Sequence, residues 1–291
     1  LNFTGAANES FDITVPVTAE ELVELDETFT VDLSNLQAGT LNVSVTDAQG
    51  LGTITNDDQA VVSLDVVNLP EGDSGTSNLV FTATLNGQVD VPVTADFVTS
   101  NGTATAGQDY TAVTSSALTM LETGTVINVA VSGDEVVELD ETLSGTLSAL
   151  NAQGRDVILS GAQPSLGVTG TITNDDSSEL AITDVTLAEG DTGTTNFVFT
   201  VSATAAVDTG YSVDFASALD TAQAEDFTPT NGTLNFVGNL SESMTITVPV
   251  VADEMVELDE TFFMNLSNIV ATGRNVTFTD SQGLGTITND D

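Results

Sequence analysis

Apolar and polar side chains alternate along much of this 291-residue chain, as they do in a β-strand with one buried face. The alternation is clearest in three stretches with the same spacing. These are Ile13, Val15 and Val17; Ile127, Val129 and Val131; and Ile246, Val248 and Val250. Pro16 and Pro249 occupy outward positions, where a missing N–H is tolerated only in an edge strand or a bulge. The pattern predicts strands with one face in a core and, at these prolines, a sheet edge.

The stretch 59–176 shows the whole strand pattern. We predict its strands near 60–68, 78–86, 89–99, 115–120, 124–132, 141–150 and 166–174. Seven short strands separated by Gly, Asn and Asp are typical of an immunoglobulin-like sandwich. An up-and-down barrel would show evenly spaced hairpins, which this stretch lacks. The predicted fold is therefore all-β, with immunoglobulin-like seven-stranded β-sandwiches in tandem.

Internal repeats define the organisation. The tripeptide Asn-Asp-Asp begins at Asn56, Asn174 and Asn289, so its copies lie 118 and 115 residues apart. Residues 1–58 align without a gap on residues 234–291, with 38 of 58 positions identical. We therefore divide the chain into a half repeat, repeat two and repeat three. The half repeat (residues 1–58) is the C-terminal half of one unit, and residues 59–176 and 177–291 are complete units.

Composition excludes several classes of function. The chain has 44 acidic residues, two arginines and no lysine, histidine or cysteine, for a net charge of −42. A phosphate backbone or an anionic membrane surface requires Lys or Arg, so neither is an expected partner. Without His and Cys, the chain lacks the usual ligands of zinc, haem and iron–sulfur sites. It also lacks the His or Cys of nucleophilic triads. No apolar run approaches the roughly 18 residues of a membrane span, so we expect no membrane insertion.

Four acidic phrases recur in each complete repeat. They are Glu-Gly-Asp, a loop that ends in Asp and an aromatic residue, a Val-Glu-Leu-Asp-Glu run, and the terminal Asn-Asp-Asp. Taken alone, the first is a turn and the last a polar linker, and the acidity could serve solubility only. Alternate loops of a sandwich lie at the same end, however, and carboxylates about 4 Å apart repel by roughly 4 kcal/mol. Together the phrases predict a Ca²⁺ site, because Ca²⁺ takes six to eight oxygen ligands from flexible loops.

The phrases PEGD, GTATAGQDY, DEVVELDETL and GTITNDD resemble, in this order, the Calx-beta motif. This motif is found in regulatory domains of sodium/calcium exchangers and in bacterial surface proteins. The resemblance covers the entire chain. It implies a seven-stranded immunoglobulin-like sandwich with Ca²⁺ bound at one tip.

The resemblance also implies the ligands. In repeat two they are Glu71, Asp109, Asp134, Glu138, Glu141, Asp175 and Asp176. In repeat three they are Glu189, Asp226, Asp253, Glu257, Glu260, Asp290 and Asp291. The half repeat retains Glu24, Glu27, Asp57 and Asp58, with Glu20 in the position of Asp134.

Two positions depart from the motif. Gly133 stands where exchanger domains carry another Asp, and Asn174 replaces the first of three acids. The expectation is fewer or weaker Ca²⁺ ions than in the exchanger domains.

Three classes of function compete. We expect a structural array of an extracellular fibre, adhesin or biofilm matrix, in which Ca²⁺ stiffens the junctions between repeats. Its partners would be neighbouring repeats of the same longer chain and other copies in a fibre. A calcium-dependent carbohydrate-binding, protein-binding or sensor module is the alternative, although the chain has no Trp and only two Tyr. Catalysis would be limited to carboxylate-pair chemistry such as glycoside hydrolysis, and acids repeated in every unit argue against one catalytic cleft.

The half repeat cannot complete a sandwich by itself, since it holds only the last strands of one. We therefore expect this chain to be part of a longer array, at the cell surface or outside the cell. The missing half, roughly 60 residues, would lie upstream and carry the other two acidic phrases.

Overall fold

The structure is a computed structural model that describes residues 1–120 and 124–291. It contains 24 strands in these residues, and no helix long and apolar enough to cross a membrane is found there. The half repeat contains β1 (Leu22–Val23), β2 (Glu27–Asp32) and β3 (Gln49–Ile54). Repeat two contains β4 (Ala60–Val66), β5 (Leu69–Pro70), β6 (Gly75–Asn86), β7 (Gln88–Val89), β8 (Val93–Asn101), β9 (Ser116–Met120), β10 (Thr125–Gly133), β11 (Val136–Val137), β12 (Glu141–Asn151), β13 (Val157–Leu159) and β14 (Ser165–Thr173). Repeat three contains β15 (Ser178–Ile182), β16 (Val185–Ala188), β17 (Gly193–Ala203), β18 (Ala206–Val207), β19 (Tyr211–Leu219), β20 (Asn231–Phe236), β21 (Ser243–Ala252), β22 (Glu260–Val270), β23 (Val276–Phe278) and β24 (Gln282–Thr288).

Each complete repeat is built from a four-stranded and a five-stranded sheet. In repeat two the orders are β10-β6-β4-β13 and β5-β14-β12-β8-β9. In repeat three they are β21-β17-β15-β23 and β16-β24-β22-β19-β20. The predicted all-β fold with tandem sandwiches is confirmed. The strands that the alternation missed, β5, β7, β11 and β13, have only two or three residues, too few to show a period.

In repeats two and three the alternating valines and isoleucines face the cores as predicted. Val129 and Val131 of β10 are fully buried, as are Val248 and Val250 of β21. Pro249 lies in β21, which is an edge strand, so its missing N–H interrupts no ladder.

Phenylalanines fill the space between the two sheets. In repeat two the rings of Phe81 and Phe97 have centroids 5.2 Å apart. In repeat three Phe197 and Phe262 are 5.7 Å apart. In repeat two, Gly145 lies opposite the rings of Phe81 and Phe97. A Cβ added to Gly145 would lie 2.5 Å from the ring of Phe81. Glycine in the strand therefore makes room for the aromatic ring.

The prediction of a strand through Ile13, Val15 and Val17 was wrong. The structure forms no strand there, and all three side chains are exposed. The equivalent strands β10 and β21 pair with β6 and β17 over nine and ten residues, and residues 1–58 contain no counterpart of β6 or β17. Within residues 1–58 the only strands that pair with each other are β2 and β3. A strand at residues 13–17 would have no partner, and its backbone N–H and C=O groups would stay unpaired.

Short parallel strand pairs join consecutive repeats. Strand β1 of the half repeat pairs with β7 of repeat two, and β11 of repeat two pairs with β18 of repeat three. Val23 is part of the core of repeat two, and Val137 is part of the core of repeat three. Each junction is therefore an apolar contact in addition to a covalent link.

The two arginines of the chain occupy equivalent places beside these junctions. Arg155 forms a bidentate pair with Asp90, and Arg274 forms the same pair with Asp208, each with a closest distance of 2.7 Å. Planar guanidinium groups match carboxylates in this geometry. Each pair lies within one repeat and includes the Asp whose backbone N–H bonds to the preceding repeat.

Candidate metal centre

The four acidic phrases of repeat two meet at one end of its sandwich. Glu71 follows β5, Asp109 lies in the loop between β8 and β9, residues 134–141 join β10 to β12, and Asp175 and Asp176 follow β14. Carboxylate oxygens of Glu71, Asp175 and Asp176 lie within 4.8 Å of one another. We call this end of a repeat, with its seven predicted ligands, the acidic tip.

A tight turn places the buried member of the tip. The backbone N–H of Glu71 donates to the carbonyl oxygen of Thr173 at 3.1 Å, which pairs the turn with the end of β14. The next N–H, of Gly72, donates to Oδ1 of Asp175 at 2.9 Å. Gly72 has a φ of +81°, a conformation that glycine adopts at low cost. The side chain of Glu71 is consequently only 7% exposed, among other carboxylates.

Burial and like charges raise the pKa of the tip acids. Burial, followed by the charges of Glu138, Asp134, Asp176 and Asp175, raises the pKa of Glu71 to about 8. The pKa of Asp176 is raised by burial and then by Asp175, Asp73 and Asp134. Both effects disfavour the charged form of a carboxyl group, so the metal-free tip stores electrostatic repulsion.

Asp109 and Glu141 form the other half of the tip. Burial, followed by the charge of Asp109 and a hydrogen bond with it, raises the pKa of Glu141 to about 7. Burial also raises the pKa of Glu138, as do the charges of Asp134 and Asp109, whereas Arg274 of the next repeat lowers it. In repeat two, Glu71, Asp175 and Asp176 thus form one close group, and the other four predicted residues act on it or on one another through their charges. That these seven residues are Ca²⁺ ligands stays a prediction.

Repeat three repeats this arrangement. Carboxylate oxygens of Glu189, Asp290 and Asp291 lie within 4.8 Å of one another, and Gly190 donates its N–H to Asp290 at 3.0 Å. Burial raises the pKa of Glu189, and the charges that raise it further come from Asp253, Glu257, Asp290 and Asp291. Burial, followed by a hydrogen bond with Asp226, raises the pKa of Glu260 to about 7.

The half repeat has an incomplete tip. Its residues Glu27, Glu20 and Asp58 surround Glu24, whose pKa is raised by burial and by their charges together with that of Asp90. Asp57 follows β3 and is exposed. Residues 1–58 contain no counterpart of Glu71, the buried predicted ligand, or of Asp109, the predicted ligand in the loop between β8 and β9.

An asparagine that the sequence analysis treated as a lost ligand instead positions the tip. Oδ1 of Asn174 accepts the N–H of Glu138 at 2.9 Å, and its Nδ2 donates to the carbonyl oxygen of Asp176 at 3.0 Å. Its own N–H donates to Asp140 at 3.1 Å. Asn56 and Asn289 form the same three bonds in their repeats. The sequence signal for this role was the recurrence of Asn at the same position in all three copies. Aspartate could not replace it, because a carboxylate cannot donate to a carbonyl oxygen.

The second departure from the motif, Gly133, also has a steric cause. A Cβ at this position would lie 2.0 Å from the carbonyl oxygen of Gly72 and 2.7 Å from that of Glu71. The turn that buries Glu71 therefore packs directly on the end of β10. No side chain, and hence no Asp ligand, fits at this position.

The chemistry of the tip fits Ca²⁺. Its predicted ligands offer carboxylate oxygens only, and Oδ2 of Asp176 is a buried atom without a hydrogen-bond partner among the described residues. Oxygen-only sites suit hard cations, and flexible loops suit the long, variable bonds of Ca²⁺ rather than the strict octahedron of Mg²⁺.

Known protein families and solved structures contain relatives of this chain. Residues 1–59, 55–177 and 172–291 each match the sequence profile of the Calx-beta domain. Among solved structures, the apo form of the Calx CBD1 domain is similar to 40% of this chain over 100% of its own length, at 23% identity and a TM-score of 0.35. The CBD12 structure of CALX1.2 is similar to 77% of the chain over 99% of its length, at 17% identity and a TM-score of 0.34. The calcium binding domain CBD12 of CALX1.1 covers 78% of the chain, over 99% of its own length, at 15% identity and a TM-score of 0.34.

Proposed function

Because this chain belongs to the Calx-beta domain family, whose domains are calcium-binding modules that occur in tandem, we propose that it is a calcium-binding structural array. The array would belong to an extracellular fibre, adhesin or biofilm matrix. Ca²⁺ at the acidic tips would stiffen the junctions between repeats. The predicted residues of each tip would hold the ion.

The position of Asp175 and Asp176 carries this proposal. They lie in the four-residue connection between β14 of repeat two and β15 of repeat three. A cleft of about 550 Å³ at this junction is lined by the tip residues and by the next repeat, through Gly273 and Asn275. A cation held by the two aspartates would order the connection itself, since its ligands come from the connection and from β-sheet ends.

We also propose that the tips have no catalytic role. The same acids recur at the end of both complete repeats, whereas a catalytic carboxylate pair needs one substrate cleft. The partners would then be neighbouring repeats and other copies in a fibre.

The test combines small-angle scattering with thermal melting, in Ca²⁺, in Mg²⁺ and in chelator at matched ionic strength. A ligand at a hundredfold excess over its Kd stabilises the folded state by about 2.7 kcal/mol, so Ca²⁺ should raise the Tm and Mg²⁺ should raise it less. The maximum dimension should be larger in Ca²⁺, because the junction near residues 174–178 becomes a hinge when the ion is removed. Glu71→Gln should reduce the Ca²⁺ effect on Tm. Asp65→Asn removes the same charge from an exposed strand position and should not.

Two results would contradict the proposal. A Tm that is unchanged in excess chelator would exclude Ca²⁺ binding at the tips. An equally extended scattering profile in both conditions, with the domains still folded, would exclude stiffening of the junction.

A further inference from the structure

One segment of the chain occurs in three copies and in two different environments. It is the four-residue core of the acidic run, residues 22–25, 136–139 and 255–258, which we call the docking segment. Its valine is buried in the first two copies, with Val23 1% and Val137 0% exposed. In the third copy Val256 is 80% exposed, and Leu258 is 85% exposed. Three near-identical sequences therefore differ in what covers them.

The two buried copies are docked in the same way on the following repeat. Val23 is in register with Val89, and Val137 with Val207, in short parallel pairs. The N–H of the next residue, Asp90 or Asp208, donates to the valine carbonyl at 3.3 and 3.1 Å.

The leucine of the docking segment rests against a glycine of the following repeat. Cδ2 of Leu139 lies 3.2 Å from the place where a Cβ of Gly273 would stand, and the distance from Leu25 to that of Gly154 is 3.4 Å. We call the surface formed by residues 88–90 and Gly154, or by residues 206–208 and Gly273, the repeat head. A repeat head thus offers a valine pocket, one N–H donor and a side-chain-free surface for the leucine.

We propose that residues 255–258 are a docking surface for the head of another repeat of this kind, placed in tandem. Met255, Val256 and Leu258 present the same side chains in the same order as the two docked copies, and no strand pairs with them among the described residues. The two docked copies favour the same occupant, because each head offers a valine in register, one N–H donor and a glycine that faces the leucine. A second copy of this chain is not the occupant, because both of its heads already hold a docking segment.

The docking uses apolar side chains and backbone hydrogen bonds, so it goes beyond Ca²⁺ binding by the carboxylates. Through this docking, the valine of a segment that belongs to one repeat becomes part of the core of the next repeat. The contact adds to the constraint that an ion at the tip would place on the repeat that follows.

Cysteine labelling tests the proposal directly, because the chain contains no cysteine. Single variants Val137→Cys, Val256→Cys and, as an exposed control, Val126→Cys are compared in residues 1–291 in Ca²⁺ buffer. An extended protein carries residues 1–291 followed by a second copy of 59–291, so that Asp291 precedes Gln59 as Asp58 does. In this protein Val137→Cys of the added copy reports whether the added repeats are folded.

In residues 1–291, Val256→Cys should react as fast as Val126→Cys and much faster than Val137→Cys. In the extended protein its rate should fall at least about tenfold, as expected for a site that reacts only after local opening, while Val126→Cys keeps its rate. An unchanged rate at Val256→Cys, with the reporter of the added copy protected, would overturn the proposal. Protection that appears on concentrating residues 1–291 alone would overturn it too, since the occupant would be a second copy of the chain.

Discussion

Among residues 1–120 and 124–291, Glu71 and Glu189 are the two charged residues that the fold buries, and both are in the acidic tips. A carboxylate loses hydration on burial, and here its neighbours are other carboxylates instead of cations. The cost is tolerable when a cation replaces the lost water. The burial of these two residues is therefore the feature of the tips that depends most on Ca²⁺ and on pH.

The stability of the metal-free protein should fall as the pH rises from about 4.5 to about 8. The pKa of Glu71 is raised from 4.5 to about 8, so the folded state binds its proton more tightly than the unfolded state does. This stability is fully present below the unfolded pKa and is lost as the pH rises through the folded pKa. Glu141 and Glu260, whose pKa values are raised to about 7, act in the same direction.

Urea unfolding in chelator across this window measures the slope. Saturating Ca²⁺ should remove most of it, because the ion competes with the protons, and Glu71→Gln should reduce it. Metal-free stability that increases over the same window would show that these acids are not buried together as described.

Asn174 links three parts of the tip through its side chain and its own N–H. Asn174→Ala should destabilise repeat two by about 1–3 kcal/mol, since it leaves the N–H of Glu138 and the carbonyl of Asp176 without their partners. Asn174→Asp should not restore stability, because a carboxylate cannot donate to Asp176 and adds repulsion. Asn128→Ala, an exposed position in β10, is the control. Equal urea midpoints for Asn174→Ala and this control would refute the positioning role.

The end of β10 and the turn at Gly72 show how two elements form one wall of the tip. Gly133→Ala should cost about 1–3 kcal/mol, because its Cβ would collide with the backbone of the turn. Gly133→Asp, which restores the acid of the family motif, should cost at least as much and should not increase Ca²⁺ affinity. Gly167→Ala is the matched control, since its Cβ would meet its nearest neighbour at 3.6 Å. Chemical denaturation and Ca²⁺ titration of the three variants decide this, and a stable Gly133→Asp protein with tighter binding would contradict it.

At the scale of the whole molecule, the described residues form two complete tips, each built from the acids of one repeat. Asp175→Ala should abolish or weaken Ca²⁺ binding in repeat two and leave repeat three unaffected, and Asp290→Ala should do the reverse. The two aspartates have equivalent roles, accepting the N–H of Gly72 and of Gly190. Titration calorimetry of both variants and of the double variant tests this. If either single substitution weakened both sites equally, the sites would not be separate.

The sequence alone determined the all-β fold and the seven long strands of repeat two, and it predicted the acids that line each tip. Period-two alternation over five or more residues reports burial of one strand face, and Phe81 or Val129 behaves as this rule states. The acids could be assigned because four phrases recur in one order, which the Calx-beta resemblance connects to one end of a sandwich.

Only the tertiary structure decided what those patterns are packed against. The alternation at Val15 is the same as at Val129, but only the second has a partner strand, and strand formation depends on that non-local pairing. Val23, Val137 and Val256 share one local sequence, yet their burial depends on a head more than sixty residues away. Gly133 and Asn174 look like missing ligands in the sequence, and their roles follow from backbone groups that approach across the sandwich. Sequence patterns encode the periodicity of a strand, whereas long-range contacts select which strands, turns and junctions are formed.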